Sequence, residues 1–294
     1  MASETTENLP SSSGTAAAAG AARPESPQVS YAALGFGGAG FLLWALGWFV
    51  LIPDHSSQLG WILEVLGPLL IAAALIMFIE SLVLRIGKGA LTLGILGSIA
   101  LGFSTLPFGT NPANLESSSW VAVGYALYGV GLVAGSGALL LVLARKESAL
   151  AKSRPPCPSG CTCREMIHSS FTSITIGAIG LLTWGIGFLG LAVEPSGAGA
   201  SFEWILAVVG SLLVSIALTM HFEHLGNRYG RWAIIIGIAS AFIWSLGYLL
   251  QAVNPQALPT SSWYGYLFLC YGIGHLLTAV TMVLVVRRKY ILEH

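Results

Sequence analysis

Charge is what this chain has least of. Of its 294 residues, 13 are Lys or Arg and 13 are Asp or Glu, so 9% are charged and the formal net charge is zero. A typical soluble domain is about 25% charged. So few charges cannot cover a water-facing surface of this size, and the solvent for most of it must be lipid. The basic residues are also too few to build a nucleic-acid interface. Cysteine is scarce as well: there are four, with three clustered at Cys157, Cys161 and Cys163. A cytoplasmic setting for that cluster argues against stable disulfides. No phosphate-binding glycine loop, HExxH helix or nucleophile elbow is present. The sequence therefore carries no enzyme signature and requires no cofactor. Residues 1–29 have neither large apolar residues in number nor a basic stretch followed by an apolar run, so they do not read as a secretory signal. A disordered cytoplasmic tail is expected there, with the first apolar helix directing insertion.

Apolar residues, by contrast, make up 55% of the chain. They gather into eight runs, at 31–52, 60–83, 89–107, 119–144, 170–193, 203–225, 231–252 and 263–286. About 20 such residues cross the hydrocarbon of a bilayer. Lipid offers the backbone no hydrogen-bond partners, so each run is expected to be a helix that satisfies its own polar groups. The expected fold is an all-α integral membrane protein with eight transmembrane helices.

The basic residues set the expected orientation. Arg23, Arg85, Lys88, Arg145, Lys146, Lys152, Arg154, Arg164, Arg228, Arg231, Arg287, Arg288 and Lys289 are all of them. Each falls in the N-terminal segment, in a loop leaving an even-numbered span, or at the C-terminal end. The remaining loops carry Asp54, Glu116 and Glu194 and no Lys or Arg. The positive-inside rule then places both termini in the cytoplasm of a multi-pass protein, expected in the cell membrane.

An internal repeat organises the chain. At one offset of 143 residues, that between Trp61 and Trp204, Gly67 matches Gly210, Met77 matches Met220, Glu80 matches Glu223, Arg85 matches Arg228 and Gly87 matches Gly230. The same offset pairs Asn111-Pro112 with Asn254-Pro255, Ser118-Ser119-Trp120 with Ser261-Ser262-Trp263, Tyr128-Gly129 with Tyr271-Gly272, and Arg145-Lys146 with Arg288-Lys289. Trp44 and Gly47 answer Trp184 and Gly187 at a slightly smaller offset. Four spans per unit is an even number, so the two units are expected to be parallel repeats related by an axis along the membrane normal. The resulting division is a tail at 1–29, repeat 1 at 30–146, a Cys/Pro-containing cytoplasmic linker at 147–169, repeat 2 at 170–289, and a short tail at 290–294.

The 36 glycines need a reason. Gly131/Gly135, Gly35/Ala39 and Gly237/Ala241 have the small-xxx-small spacing that lets helices approach closely in lipid. Packing within the chain accounts for this pattern, and an interface in a homo-oligomer or with a membrane-protein partner is the alternative.

Three groups of residues are candidates for chemistry. Glu80 and Glu223 are carboxylates near the cytoplasmic ends of the second and sixth spans, where ionisable groups are costly and tend to be paired or functional. Each has an arginine five residues on, Arg85 or Arg228. A loop-fixing ion pair and a polar path for a proton or cation are both open. His221 and His224, either side of Glu223, are three apart and share a helix face, and His275 lies in the eighth span. Histidine here suits proton relay, pH sensing or metal and haem ligation, although His221 and His275 sit at different depths. Ordinary hydrogen-bonded histidines are the alternative. Cys157, Cys161, Cys163 and His168 form a short run of soft donors that zinc or copper(I) can use. Its spacing matches no standard zinc module, and acylated or unmodified thiols are its rivals. Glu64, near the start of the second span, aligns with Ala207 and reads as an interfacial residue. Trp61, Trp120, Trp204 and Trp263 read as an aromatic belt at the outer surface, and Cys270 as a small apolar residue of the eighth span.

Three functions fit these features. The first is a small-solute or ion transporter, or a channel, with its pathway between the repeats. The second is a non-catalytic scaffold or assembly factor, and the third a metal- or haem-binding redox protein. Beyond the lipid bilayer, no partner is specified.

Overall fold

The computed structural model describes residues 30–77, 79–152, 163–194, 200–220, 222–255 and 261–294. Side chains at 80, 81, 84, 85, 116, 147–152, 163–170, 223, 224 and 228 are outside that description. Among the described residues the secondary structure is entirely helical: α1 (Tyr31–Leu51), α2 (Gln58–Met77), α3 (Ile79–Ile86), α4 (Lys88–Thr110), α5 (Ser118–Lys152), α6 (Cys163–Val193), α7 (Ala200–Met220), α8 (Phe222–Tyr229), α9 (Arg231–Val253) and α10 (Ser262–Glu293), with one 3₁₀ turn at Pro112–Glu116. Eight of these helices are long and apolar enough to cross a membrane, as expected for a multi-pass integral membrane protein. The predicted runs 60–83 and 203–225 are described as α2 with α3 and α7 with α8, flanking Phe78 and His221, which lie outside the described residues.

The long helices follow one another around a closed ring. Each of α1, α2, α4, α5, α6, α7, α9 and α10 packs on the long helix before it and the one after it, and α10 returns to pack on α1. The closing seam is specific. Tyr31 donates its hydroxyl to Glu293 Oε2 at 2.6 Å, Lys289 pairs with Glu293 at 2.6 Å, and the Lys289 ammonium lies 5.0 Å from the Tyr31 ring centre. The outward faces carry exposed Leu59, Leu66, Phe202, Phe242 and Leu249 among many other large apolar residues. A water-soluble monomer rarely exposes apolar patches beyond a few hundred Å², so this surface is one that lipid covers.

Small residues set the helix spacing at the seams. A methyl group on Gly67 would lie 2.8 Å from the Gly40 carbonyl, and one on Gly210 would lie 2.6 Å from that of Gly180. The α1–α2 and α6–α7 pairs therefore approach backbone to backbone, which in lipid maximises van der Waals contact. Gly131 likewise faces Gly97 across the α4–α5 seam. Gly35 differs from its expected role, because a methyl group there would meet nothing within 4 Å. Serine hydroxyls add interhelical bonds: Ser136 donates to the Ala178 carbonyl at 2.8 Å, Ser173 to Ala217 at 2.6 Å and Ser240 to Gly274 at 2.7 Å. Each such bond removes a hydroxyl from lipid and ties two helices together.

The two ends of the ring are built differently. At one end α3 and α8 turn into α4 and α9 through Gly87 (φ 91°) and Gly230 (φ 100°), the only described residues with positive φ. Arg145 donates to the Val83 carbonyl at 3.0 Å and Arg288 to the Asn227 carbonyl at 3.3 Å. These arginines add a side-chain donor to carbonyls in the last turns of the short helices. At the other end, Asn111 accepts from the Ala113 amide and Asn114 donates to the Pro107 carbonyl, so the Asn-Pro segment closes a tight turn. Asp54 accepts from the Ser56 amide and hydroxyl in the α1–α2 loop, and these bonds hold its carboxyl below the usual carboxylate range. His55 in the same loop lies between the carbonyls of Leu51 and Ser261, at 2.8 and 3.2 Å. It thereby joins this loop to the start of α10.

Candidate functional site

Closing eight helices into a ring leaves an axis that side chains must fill. Near the end that bears the Asp54 and Asn111 loops they fill it incompletely, leaving a chamber of about 110 Å³. Twelve of its twenty lining residues are Trp, Tyr or Phe, and every one of the eight long helices supplies at least one. The helical repeat accounts for the wall. Trp44 and Trp48 on α1 are four apart, Tyr125 and Tyr128 on α5 three apart, and Tyr264, Phe268, Tyr271 and His275 on α10 form one stripe, so each set points along a single face. The rings pack edge to face and tilted: Trp48 on Tyr271 at 5.1 Å, Trp61 on Phe108 at 5.0 Å, Tyr128 on Phe188 at 4.5 Å and Tyr248 on Tyr271 at 5.1 Å between centroids. Rigid, flat side chains meeting at such angles leave gaps that aliphatic chains would close.

Glu64 is the carboxylate of this wall, and its placement corrects the reading of it as interfacial. It is 0% exposed, one helical turn from Trp61 on the inward face of α2. Neither carboxylate oxygen has a hydrogen-bond partner. The Trp44 indole and the Trp48 amide face it without hydrogen-bond geometry. No Lys or Arg lines the chamber among the described residues. The Trp48 and Trp204 indole N–H groups and the Tyr271 hydroxyl, also on the wall, are buried without partners too. Most buried polar groups in folded proteins are satisfied, so the concentration of exceptions here singles this chamber out as the candidate site.

His275 is the one sequence-predicted site residue that the structure brings to the chamber. It lies on α10 with its ring 4.2 Å from Trp44 and 4.9 Å from Trp244. Its Nδ1 donates to the Tyr271 carbonyl at 2.7 Å. Glu80 and Arg85 are on α3, Glu223, His224 and Arg228 are on α8, and these five side chains and all of His221 lie outside the described residues. Their helices are at the Gly87 end. From Gly87 to Ser104 on the chamber wall is about 25 Å along α4 at 1.5 Å per residue, so the two groups of residues belong to opposite ends of the ring. Cys157 and Cys161 lie outside the described residues, as do the side chains of Cys163 and His168 on α6. Among the described residues no three His, Cys, Asp or Glu side chains converge on one point. Cys270 is buried in α10, as its composition-based reading holds.

Two members of the expected aromatic belt also change role. Trp61 and Trp204 are 4% and 2% exposed and belong to the chamber wall, whereas Trp120 is 46% exposed. The signal for the inward pair was present: Trp61, Glu64, Val65 and Pro68 are spaced three and four apart, the pattern of one buried helix face. All four are buried. A lone carboxylate on that face, with no basic residue in its span, was the sign of the site. No protein family, curated protein or solved structure matches this chain.

Proposed function

We propose that this protein is a small-solute transporter or channel whose solute site is the aromatic chamber at the centre of the helix ring. The observation that carries this reading is that all eight long helices contribute to one cavity. A packing defect between two helices would be lined by two or three. Ligand sites are concave and mostly apolar, with a few polar groups to orient what they hold, and the chamber has that composition.

The 143-residue repeat supports two parallel four-helix units about an axis along the membrane normal, with the pathway running between them. The chamber lies toward the end whose loops lack Lys and Arg. With both termini cytoplasmic under the positive-inside rule, that end faces away from the cytoplasm in the cell membrane, so the chamber receives solute from outside. Helices α3 and α8 then stand at the inner exit, and His275 at the floor of the chamber.

Reconstituted vesicles test the proposal. Osmotic swelling across a panel of small solutes should show saturable entry for at least one class. Val121→Trp, which fills the chamber from its wall, should abolish that entry while leaving the protein folded. Equal entry through Val121→Trp would remove the chamber from the pathway. No entry for any solute, with stable co-purification of another membrane protein, would put a scaffold role in its place.

A further inference from the structure

We propose that the chamber takes a small alkylated ammonium cation, with the Glu64 carboxylate as its counter-ion and the Trp and Tyr rings around it as a cage. The proposal rests on the chamber being a solute site and names the class of solute.

The unpartnered groups on the wall differ in what they require. An indole N–H or a phenol hydroxyl without a protein partner is met by a single water. A carboxylate buried out of reach of solvent is different, because a charge taken out of water has to be balanced by another charge or neutralised. The wall holds no Lys or Arg, and the Nδ1–H of His275 is committed to the Tyr271 carbonyl. An ionised Glu64 in this place therefore requires a cation from outside the chain.

The duplication shows that the carboxylate is not there to pack the helices. At the 143-residue offset Glu64 corresponds to Ala207, and both are 0% exposed. Around them Trp61 corresponds to Trp204 at that offset and Gly47 to Gly187 at a slightly smaller one, so a methyl group serves at the matching place in the second unit. A fully buried acidic side chain at this position in one unit only is explained by what it binds.

The rings then decide the kind of cation. Faces of Trp and Tyr attract a diffuse, weakly hydrated positive charge, and quaternary ammonium groups are recognised in this way. A small, strongly hydrated metal ion would ask for several oxygen ligands, and the wall offers one carboxylate among aromatic rings. The volume of about 110 Å³ exceeds the roughly 10–15 Å³ that admits one water and is below the ~150 Å³ of a cavity that takes up benzene. That confines the ligand to roughly five or six heavy atoms.

The test compares tetramethylammonium with tert-butanol, an uncharged molecule of similar shape and equal heavy-atom count. Binding to the purified full chain in detergent is followed by quenching of intrinsic tryptophan emission and by calorimetry, with NaCl added to equal ionic strength. Tetramethylammonium should bind saturably and at least tenfold more tightly than tert-butanol. Glu64→Gln, which keeps the shape and removes the charge, should weaken tetramethylammonium at least tenfold and leave tert-butanol within about twofold. Tert-butanol binding as well as the cation in the wild type would overturn the cation while preserving the chamber as a solute site. Binding of neither probe would overturn both readings. Undiminished cation binding in Glu64→Gln would remove Glu64 as the counter-ion. Should that variant not fold, the wild-type comparison alone decides.

Discussion

Gly47 and Glu64 occupy a space that admits only one side chain. A methyl group built on Gly47 would lie 2.5 Å from Glu64 Oε1 and 2.9 Å from the Gly60 carbonyl. The carboxylate of α2 is therefore accommodated by the missing side chain of α1, and the two positions are coupled. Gly47→Ala should destabilise the protein by about 1–3 kcal/mol, the usual cost of overpacking, and weaken any ligand that depends on Glu64. In a double-mutant cycle with Glu64→Ala the two effects should fall short of additive, with a residual from the Gly60 carbonyl. Full additivity in thermal melts would show that the two residues do not share this space.

The seam glycines should separate cleanly from the others. At Gly67 and Gly210 an added methyl would come within 2.7 and 2.5 Å of the Cβ atoms of Trp44 and Trp184. Alanine at either position should cost about 1–3 kcal/mol by forcing the helices apart. Gly35→Ala meets nothing and should gain up to ~1 kcal/mol from helix propensity. Melting temperatures of the three variants in one detergent would check the order, and a Gly35→Ala protein as unstable as the other two would contradict it.

Gly87 and Gly230 answer to conformation rather than space. Their φ values of 91° and 100°, with extended ψ, fall in a region that only glycine enters readily, at a cost on the order of 1–3 kcal/mol for other residues. Gly230→Ala isolates that cost, because the nearest atom to the new methyl is 3.8 Å away. Gly87→Ala adds a clash with the Arg145 guanidinium at 2.8 Å, so it should be the more damaging. Chemical denaturation of both would settle the ranking.

Serine hydroxyls should matter only where they cross between helices. Ser136→Ala leaves the Ala178 carbonyl without its interhelical donor and should cost about 0.6 kcal/mol, the average for such bonds in a bilayer. Ser98, which donates to the Gly94 carbonyl of its own helix at 3.0 Å, should be replaceable by alanine without loss. Equal effects at the two sites, measured by unfolding in mixed micelles, would refute the distinction.

Membrane orientation is open to direct measurement. In a background lacking Cys157, Cys161 and Cys163, a cysteine placed at Ser56 should react with an impermeant thiol reagent added outside intact cells. One placed at Tyr290 should react only after permeabilisation. The reverse pattern would invert the proposed topology and with it the side from which the chamber fills.

Much of the fold is readable in the sequence because lipid imposes simple rules. A run such as 205–213, placed in hydrocarbon, has no option but helix, and the confinement of Lys and Arg to alternate loops is a one-dimensional pattern. The seam glycines were visible as a composition, and Gly131 lies where its spacing suggested. Gly35 does not, since spacing alone cannot tell a helix face turned to a neighbour from one turned outward.

The sequence by itself determined the helices, their number, the recurrence of residues at one offset and which loops carry Lys and Arg, because each depends on residues close together in the chain or repeated at one offset. Tertiary structure alone decided that the ring closes through α10 on α1, and that Trp61 and Trp204 face its axis. It also decided that Glu64 stands buried, without a partner, among rings drawn from helices more than two hundred residues apart in sequence. The physical reason is that burial and the lack of a counter-charge are properties of the surroundings. Those surroundings exist only once all eight helices have met.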